Sequence, residues 1–229
     1  MVRQVKEGGG RRNLTVKVKT AKKRSTASTR WLQRQLNDPY VAEAKRQGYR
    51  SRAAFKLAEI DDRYKILRPG LKVADLGAAP GGWSQIAAER VKSLGGTGRV
   101  VAVDVTEIEA LPGVVNFTLD VTEEGARERI IAALGGKADI VLSDMASPAT
   151  GHRATDHIRV VALVETALDI AEELLAPGGT FLAKVFQGGA GQDLVARMKL
   201  SFVKVHHVKP KASRAESPEV YVLATGFRR

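Results

Sequence analysis

Cysteine is absent from the 229 residues, and with it go disulfides, thiolate metal sites and cysteine nucleophiles. No apolar run approaches the ~20 residues needed to cross a bilayer, so no integral membrane segment is expected. The first residues lack the apolar stretch of a secretory signal, which makes a soluble, cytoplasmic protein the expectation. Internal repeats are missing as well. Acid is nearly missing from one end: residues 1–30 hold ten Lys or Arg and a single acid, Glu7.

What is present suits one α/β domain. Hydrophobic residues make up 44% of the chain, enough to bury a proper core and to exclude disorder throughout. The net charge is +12, of which nine charges sit in the first thirty residues. A basic arm on a near-neutral domain implies a polyanion, most often nucleic acid, bound by counterion release. A solvated tail is the plainer alternative. A mitochondrial presequence is a third, opposed by Gly8-Gly9-Gly10 and the want of a helical apolar stripe. The expected organisation is a basic, flexible arm over 1–29 and one domain over 30–229. Within that domain, helices fill 30–68 and a sheet core fills 69–229.

Asp38-Pro39 reads as a helix N-cap with proline at the first helical position, and Gly48 closes that helix. A second helix starts at Ser51 and carries Phe55, Lys56, Leu57 and Ile60; Pro69-Gly70 then turns the chain. Short apolar strands follow at Lys72–Leu76, Val100–Asp104, Val114–Leu119, Ile140–Asp144 and Thr180–Val185. Helices near Trp83–Ser93, Glu123–Leu134 and Asp156–Leu175 separate them, the last stopped by Pro177-Gly178-Gly179. Such strands, spaced by helices, predict a parallel sheet covered on both faces. Only a basic loop joins Val203–Val208 to Val220–Thr225, too short for a crossover, so the last strand runs antiparallel. The fold class is α/β, doubly wound, with one antiparallel strand.

The segment Val73-Ala-Asp75-Leu-Gly77-Ala-Ala-Pro80-Gly81-Gly82-Trp83 runs strand, glycine-rich loop, helix. Small residues let a ligand approach the backbone, and the helix start presents free N–H groups. The spacing is not G-x-G-x-x-G, and Pro80 removes an N–H that a pyrophosphate would want, so a nicotinamide cofactor is disfavoured. Asp75, Asp104 and Asp120 fall at the ends of three successive strands, where α/β sheets bind ligands. Asp104 suits the two hydroxyls of a ribose, and Asp120 an adenine amino group. Acids without a phosphate signature fit a nucleoside that carries positive charge, and S-adenosylmethionine is one.

Asp75-Leu-Gly-Ala-Ala-Pro-Gly-Gly-Trp83, Ser143-Asp144-Met145-Ala146, Lys184-Val-Phe-Gln-Gly188 and Ser217-Pro-Glu219-Val-Tyr221 together resemble the FtsJ/RrmJ ribose 2′-O-methyltransferases. Arg30-Trp31-Leu32 and Ser51-Arg-Ala-Ala-Phe-Lys56-Leu57 extend the resemblance, which covers residues 22–229. It implies a Rossmann-like class I fold with a seven-stranded sheet and S-adenosylmethionine as cofactor. It also implies a uridine ribose of 23S rRNA on the large ribosomal subunit as acceptor. Methyl acceptors in tRNA or another RNA, or a non-catalytic role in ribosome assembly, are the alternatives. The resemblance further implies a tetrad of Lys56, Asp144, Lys184 and Glu219, with cofactor contacts from Gly81, Trp83, Asp104, Asp120 and Asp144 beside Asp75 and Gly77.

The chemistry accounts for such a cluster. A ribose hydroxyl is a poor nucleophile, and a lysine can act as its base only when neutral, so its pKa near 10.4 must fall towards about 7–8. Lys184 is expected to be the proton acceptor, or the group orienting the hydroxyl, with Lys56 steering the ribose. Asp144 would orient Lys184, and Glu219 can reach the same edge only if its strand is reversed. Judged singly, Lys56 passes as a snorkelling lysine, Glu219 as an edge charge, Asp144 as a turn cap and Trp83 as core. Lys184, after Thr-Phe-Leu-Ala, is the residue hardest to explain structurally.

His152 and His157 read as a polar loop, and His206-His207 point to opposite faces of a strand, so no metal is expected. RNA contact is expected from Arg30, Arg34, Arg50, Arg52, Lys209, Lys211 and Arg214, mostly to phosphate. Nothing in the sequence demands an interface between copies, so a monomer is expected.

Overall fold

The computed structural model describes residues 16–20, 26–147, 150–186 and 192–229. Most of the basic arm therefore lies outside the described residues. Three helices come first: α1 (Thr26–Leu36), α2 (Pro39–Gln47) and α3 (Ala53–Tyr64). The sheet region follows as β1 (Lys72–Leu76), α4 (Gly82–Val91), β2 (Arg99–Asp104), β3 (Val114–Thr118), α5 (Ala126–Leu134), β4 (Ala138–Ser143) and α6 (Arg153–Leu174). It closes with β5 (Leu175–Phe186), α7 (Gln192–Ser201), β6 (Phe202–Val208) and β7 (Glu219–Phe227). No described helix is long and apolar enough to cross a membrane.

The seven strands lie in the order β3-β2-β1-β4-β5-β7-β6. The first five pair in parallel, whereas β7 is antiparallel to both β5 and β6. The reversed last strand is thus as the short basic loop requires. From β1 the chain winds outward through β2 and β3, then returns to continue from β4. The switch point between β1 and β4 opens a crevice at their carboxyl ends.

Neighbouring residues on each central strand feed opposite faces, as a pleated strand must. Ala74, Val101 and Val141 pack with α5, α6 and α7. Val73, Val100, Ile140 and Leu142 pack with α3 and α4. Strands buried on both sides need apolar residues throughout, which is why they read as continuous hydrophobic runs. Because Leu57 and Ile60 of α3 belong to that second layer, the N-terminal helices are part of the core rather than an appendage.

Asp38 accepts the Tyr40 N–H, Pro39 opens α2, and Gly48 caps it. Elsewhere boundaries move. α1 begins at Thr26, so the division drawn at 29/30 falls inside a helix. α6 begins at Arg153, which makes His157 helical rather than part of a loop. Pro177-Gly178-Gly179 does not end a helix before a gap; it forms an irregular start to β5, whose register against β4 shifts between Ala138 and Ile140. The helix α7 carries no strong sequence signal, yet Leu194 and Met198, one turn apart, bury against the sheet.

Candidate active site

Four elements bring Lys56, Asp144, Lys184 and Glu219 together. Lys184 lies near the end of β5, and the antiparallel register sets Tyr221 beside it and Glu219 beside Phe186. Asp144 follows β4 directly, on the neighbouring strand end. Lys56 reaches in from α3. The Lys184 ammonium is 3.0 Å from Asp144 Oδ1 and donates to the Asp144 carbonyl at 2.7 Å. Lys56 Nζ is 2.6 Å from Glu219 Oε1, which also accepts from the Ser213 hydroxyl at 2.9 Å.

Tyr221, a residue the sequence reading passed over, joins the two ion pairs. Its hydroxyl lies 3.2 Å from Asp144 Oδ1 and 3.3 Å from Glu219 Oε1, within reach of donating to either. Its ring is fully buried against Trp83, 5.5 Å between centroids. Burial first, and then the two carboxylates, push the phenol well above its ordinary range, so it stays a donor. Burial would raise the Glu219 carboxyl, but the Lys56 ammonium, the Ser213 hydroxyl and the Lys184 charge hold it below the usual range. Two ammonium groups and two carboxylates compensate one another, which is how Lys184 can sit only 8% exposed. A tyrosine on a strand of buried residues carries no signal of this bridging role by itself; its place two residues after Glu219, on the same face, is the cue.

The glycine loop between β1 and α4 adjoins this cluster. Gly77 and Gly81 both have positive φ, and a Cβ on Gly77 would stand 2.5 Å from Met145 Cγ and 2.8 Å from Met145 Cα. The loop therefore lies directly on the backbone next to Asp144. The Asp104 carboxylate accepts the N–H groups of Ala79 and Thr106. Asp120 Oδ1 accepts from the Thr122 N–H and hydroxyl, which pull its carboxyl below the ordinary value and leave Oδ2 as the acceptor for a ligand.

Two expected contacts take another form. The Trp83 indole points into the core and donates to the Ala53 carbonyl at 2.9 Å. What Trp83 can offer a ligand is its backbone N–H in the first turn of α4. Asp75 does not line the open crevice: it is fully buried beneath the loop, with Oδ2 accepting from Ser84 at 2.6 Å and Oδ1 left without a partner.

Burial, together with the nearby Asp144 and Asp104, raises the Asp75 carboxyl to about 7 against the Ser84 hydrogen bond. An unsatisfied buried carboxylate oxygen among further acids fits a cationic ligand, and S-adenosylmethionine carries a sulfonium and an ammonium. In the free protein, the folded carboxyl keeps its proton between about pH 4 and pH 7, where the unfolded one has lost it. Stability must then fall as pH rises through that window. Asp75→Asn is expected to narrow the gap between melting temperatures measured near pH 5 and pH 8. An unchanged gap would mean Asp75 is not the group responsible.

The basic residues expected at RNA also have partners within the protein. Arg50 donates to the carbonyls of Pro80 (3.1 Å), Glu109 (2.7 Å) and Ala110 (2.8 Å), so it clamps the glycine loop to the 109–110 segment. Lys209 donates to the carbonyls of Ala215 and Ser217 and braces the β6–β7 loop. Arg52 and Arg214 both pair with Asp38. Arg34 and Lys211 are exposed, and the Arg30 side chain lies outside the described residues.

A family model described as FtsJ-like methyltransferase matches residues 49–227. The chain is 60% identical to a protein named Ribosomal RNA large subunit methyltransferase E from Paramagnetospirillum magneticum, over 96% of this chain and 91% of that protein. Among solved structures, one from Plasmodium falciparum named as a ribosomal RNA methyltransferase superposes with a TM-score of 0.68 at 29% identity. That match covers 78% of this chain and 98% of the other. A SAM-dependent O-methyltransferase of Thermotoga maritima, 15% identical with a TM-score of 0.51, shares the fold over 76% of this chain and 65% of its own. The fold is the Rossmann-like class I methyltransferase fold.

Proposed function

The chain belongs to the FtsJ-like methyltransferase family, and on that premise we propose that it transfers a methyl group from S-adenosylmethionine to a ribose 2′-hydroxyl of large-subunit ribosomal RNA, a uridine of 23S rRNA. The observation that carries this reading is the buried, charge-compensated pair of Lys–carboxylate contacts bridged by Tyr221 beside the glycine loop.

When bound, S-adenosylmethionine supplies an electrophilic methyl group on a sulfonium, whose departure leaves the neutral thioether. The first-turn N–H groups of α4 and the carboxylates of Asp104 and Asp120 are the groups that hold it, while Asp75, buried beneath the loop, adds acidic charge behind them. Lys184, whose nitrogen is fixed twice by Asp144, orients the ribose 2′-hydroxyl as an ammonium and, once it has released its own proton to solvent, receives the hydroxyl proton as the new O–C bond forms. Lys56, held by Glu219, positions the ribose from the other side. Tyr221 keeps the two pairs in register.

The test is methyl transfer to undermethylated large ribosomal subunits, free 23S rRNA and tRNA, with the labelled nucleoside identified. Ribose label in uridine of the ribosomal substrates supports the reading. Label confined to tRNA moves the substrate, and label on a base overturns the acceptor.

Arg50 enters the same scheme as part of the cofactor side. Arg50→Ala is expected to raise KM for S-adenosylmethionine about tenfold, equivalent to about 1.4 kcal/mol, with a much smaller change in kcat. Three hydrogen bonds from one cation are lost, and water repays part of them. Loss of RNA affinity with an unchanged cofactor KM would instead make Arg50 an RNA contact.

A further inference from the structure

Asp75 stands apart from the other acids of the crevice in the partners it is given. Asp104 accepts two backbone N–H groups, those of Ala79 and Thr106, and Asp120 accepts an N–H and a hydroxyl from Thr122. Asp75 has the Ser84 hydroxyl on Oδ2 and, among the described residues, nothing on Oδ1. Beside it in the sheet lie Ala102 of β2 and Leu142 of β4, both fully buried and apolar. The groups that act on its charge are Ser84 from α4, Asp104 at the end of β2 and Asp144 after β4. One hydroxyl favours the ionised form, whereas burial and both acids oppose it.

A positive charge brought into the crevice tips that balance. Leu142 lies opposite Asp75, and Asp144 is two residues further along β4, so the backbones of the two acids are about 8 Å apart. A methyl group handed to a hydroxyl beside Lys184 needs its sulfur next to Asp144, whose carboxylate is 3.0 Å from the Lys184 nitrogen. The sulfonium therefore stands within the field of Asp75, across apolar strands where salt screens little. The spent cofactor, S-adenosylhomocysteine, is the same molecule without the methyl group and without the charge on sulfur. The ammonium and carboxylate of its methionine part are unchanged.

We propose that Asp75 is the residue by which the crevice tells the cofactor from its spent form: it gives up its proton when the sulfonium enters and keeps it when the neutral thioether is bound. The inference rests on the S-adenosylmethionine reading and deepens it, assigning the selectivity of that site to a buried acid. Asp75 touches neither ligand and acts by its charge from beneath the glycine loop. Its proton must leave before that charge can act, so affinity for the sulfonium form rises with pH through the range where the free carboxyl is protonated. Binding then releases a proton to solvent. Methyl transfer neutralises the sulfur and lets Asp75 take a proton back from solvent.

Isothermal titration of the whole chain with each ligand, from pH 5 to pH 7.5, gives the ratio of the two affinities. In the wild type that ratio is expected to shift towards S-adenosylmethionine by about five- to tenfold across this range. Near pH 6.5, about half a proton should be released on binding it, read from titrations in two buffers of different ionisation heat. Groups that both ligands share cancel in the ratio. Asp75→Asn should fix the ratio at its acidic value, with S-adenosylmethionine bound about five- to tenfold more weakly at pH 7.5 and S-adenosylhomocysteine nearly as before. Ser84→Ala removes the hydrogen bond that favours the ionised form, so the rise should survive but move to higher pH. That variant deletes one buried oxygen and keeps the test decisive if Asp75→Asn folds poorly.

A ratio that climbs equally in Asp75→Asn would overturn the proposal. So would equal weakening of both ligands in that variant, the result expected of a purely structural acid, or an unmoved profile in Ser84→Ala. A wild type that binds neither ligand would bring down the cofactor reading and this inference with it. Binding of both at a fixed ratio defeats this inference alone.

Discussion

Methyl transfer by the Lys184→Ala variant is expected to fall by about 10²–10⁴-fold at saturating substrates, the range spanned by a positioned proton-transfer group. RNA affinity and KM for S-adenosylmethionine should change little, because among the described residues the lost nitrogen contacts the Asp144 carboxylate and carbonyl. Asp144 keeps the Tyr221 hydroxyl as a partner, so the local fold has a second support. Single-turnover rates with bound RNA isolate the chemical step from binding and product release. Lys184→Arg separates the two roles a lysine can play there. Arginine holds its proton permanently, so it can orient a hydroxyl but not deprotonate it. A variant with arginine that retains a tenth or more of wild-type turnover would sink the base role and leave an orienting one.

The second large effect concerns the loop rather than the base. Gly77→Ala is expected to destabilise the protein by about 2–4 kcal/mol and to abolish measurable cofactor binding. Gly77 has φ of +71°, a region costly for a residue with a Cβ, and its added carbon would meet the backbone of Met145 as well as its side chain. A side chain could swing away; a Cα cannot. Relief must come from parting the β1–α4 loop and the Asp144–Met145 segment, the two walls that would enclose the ligand. For a chain of this size the melting temperature should drop by about 5–15 °C. Isothermal titration with S-adenosylmethionine reads the second effect, and near-normal affinity in a folded variant would show that the close packing is dispensable. Gly48→Ala, where nothing lies within 4 Å, is the comparison that isolates positive φ from crowding.

Much of this architecture could be read in the residues because parallel strands buried on both faces leave an unmistakable trace of apolar runs. The reversed β7 followed from a loop too short to cross over, and with it the placement of Glu219 near Lys184. α7 escaped notice because two buried positions, Leu194 and Met198, are a thin amphipathic signal. Asp75 was misplaced for a different reason. A carboxylate at a strand end looks the same in sequence whether it faces a crevice or lies sealed under a glycine loop. Arg50, Arg52 and Lys209 show the limit for charge: a basic residue displays its sign but not its partner, and these three hold backbone carbonyls or Asp38. Tyr221 shows it for bridges, whose meaning appears only when two separate segments are brought to one hydroxyl.

The strand order has a consequence for how the molecule comes into being. β7 lies between β5 and β6, so β6 has no place in the sheet until a later segment has slipped in beside it. During synthesis the first five strands can pair as they emerge, while Phe202–Val208 must wait, unpaired, for Glu219–Phe227 to arrive. Lys184 and Asp144 would already stand side by side in such an intermediate, but Glu219 and Tyr221 would not. A nascent chain can therefore own a finished cofactor crevice and still have no reaction centre. The tetrad is complete only when β7 lies beside β5, so the last strand of the chain closes the site that the first strands open.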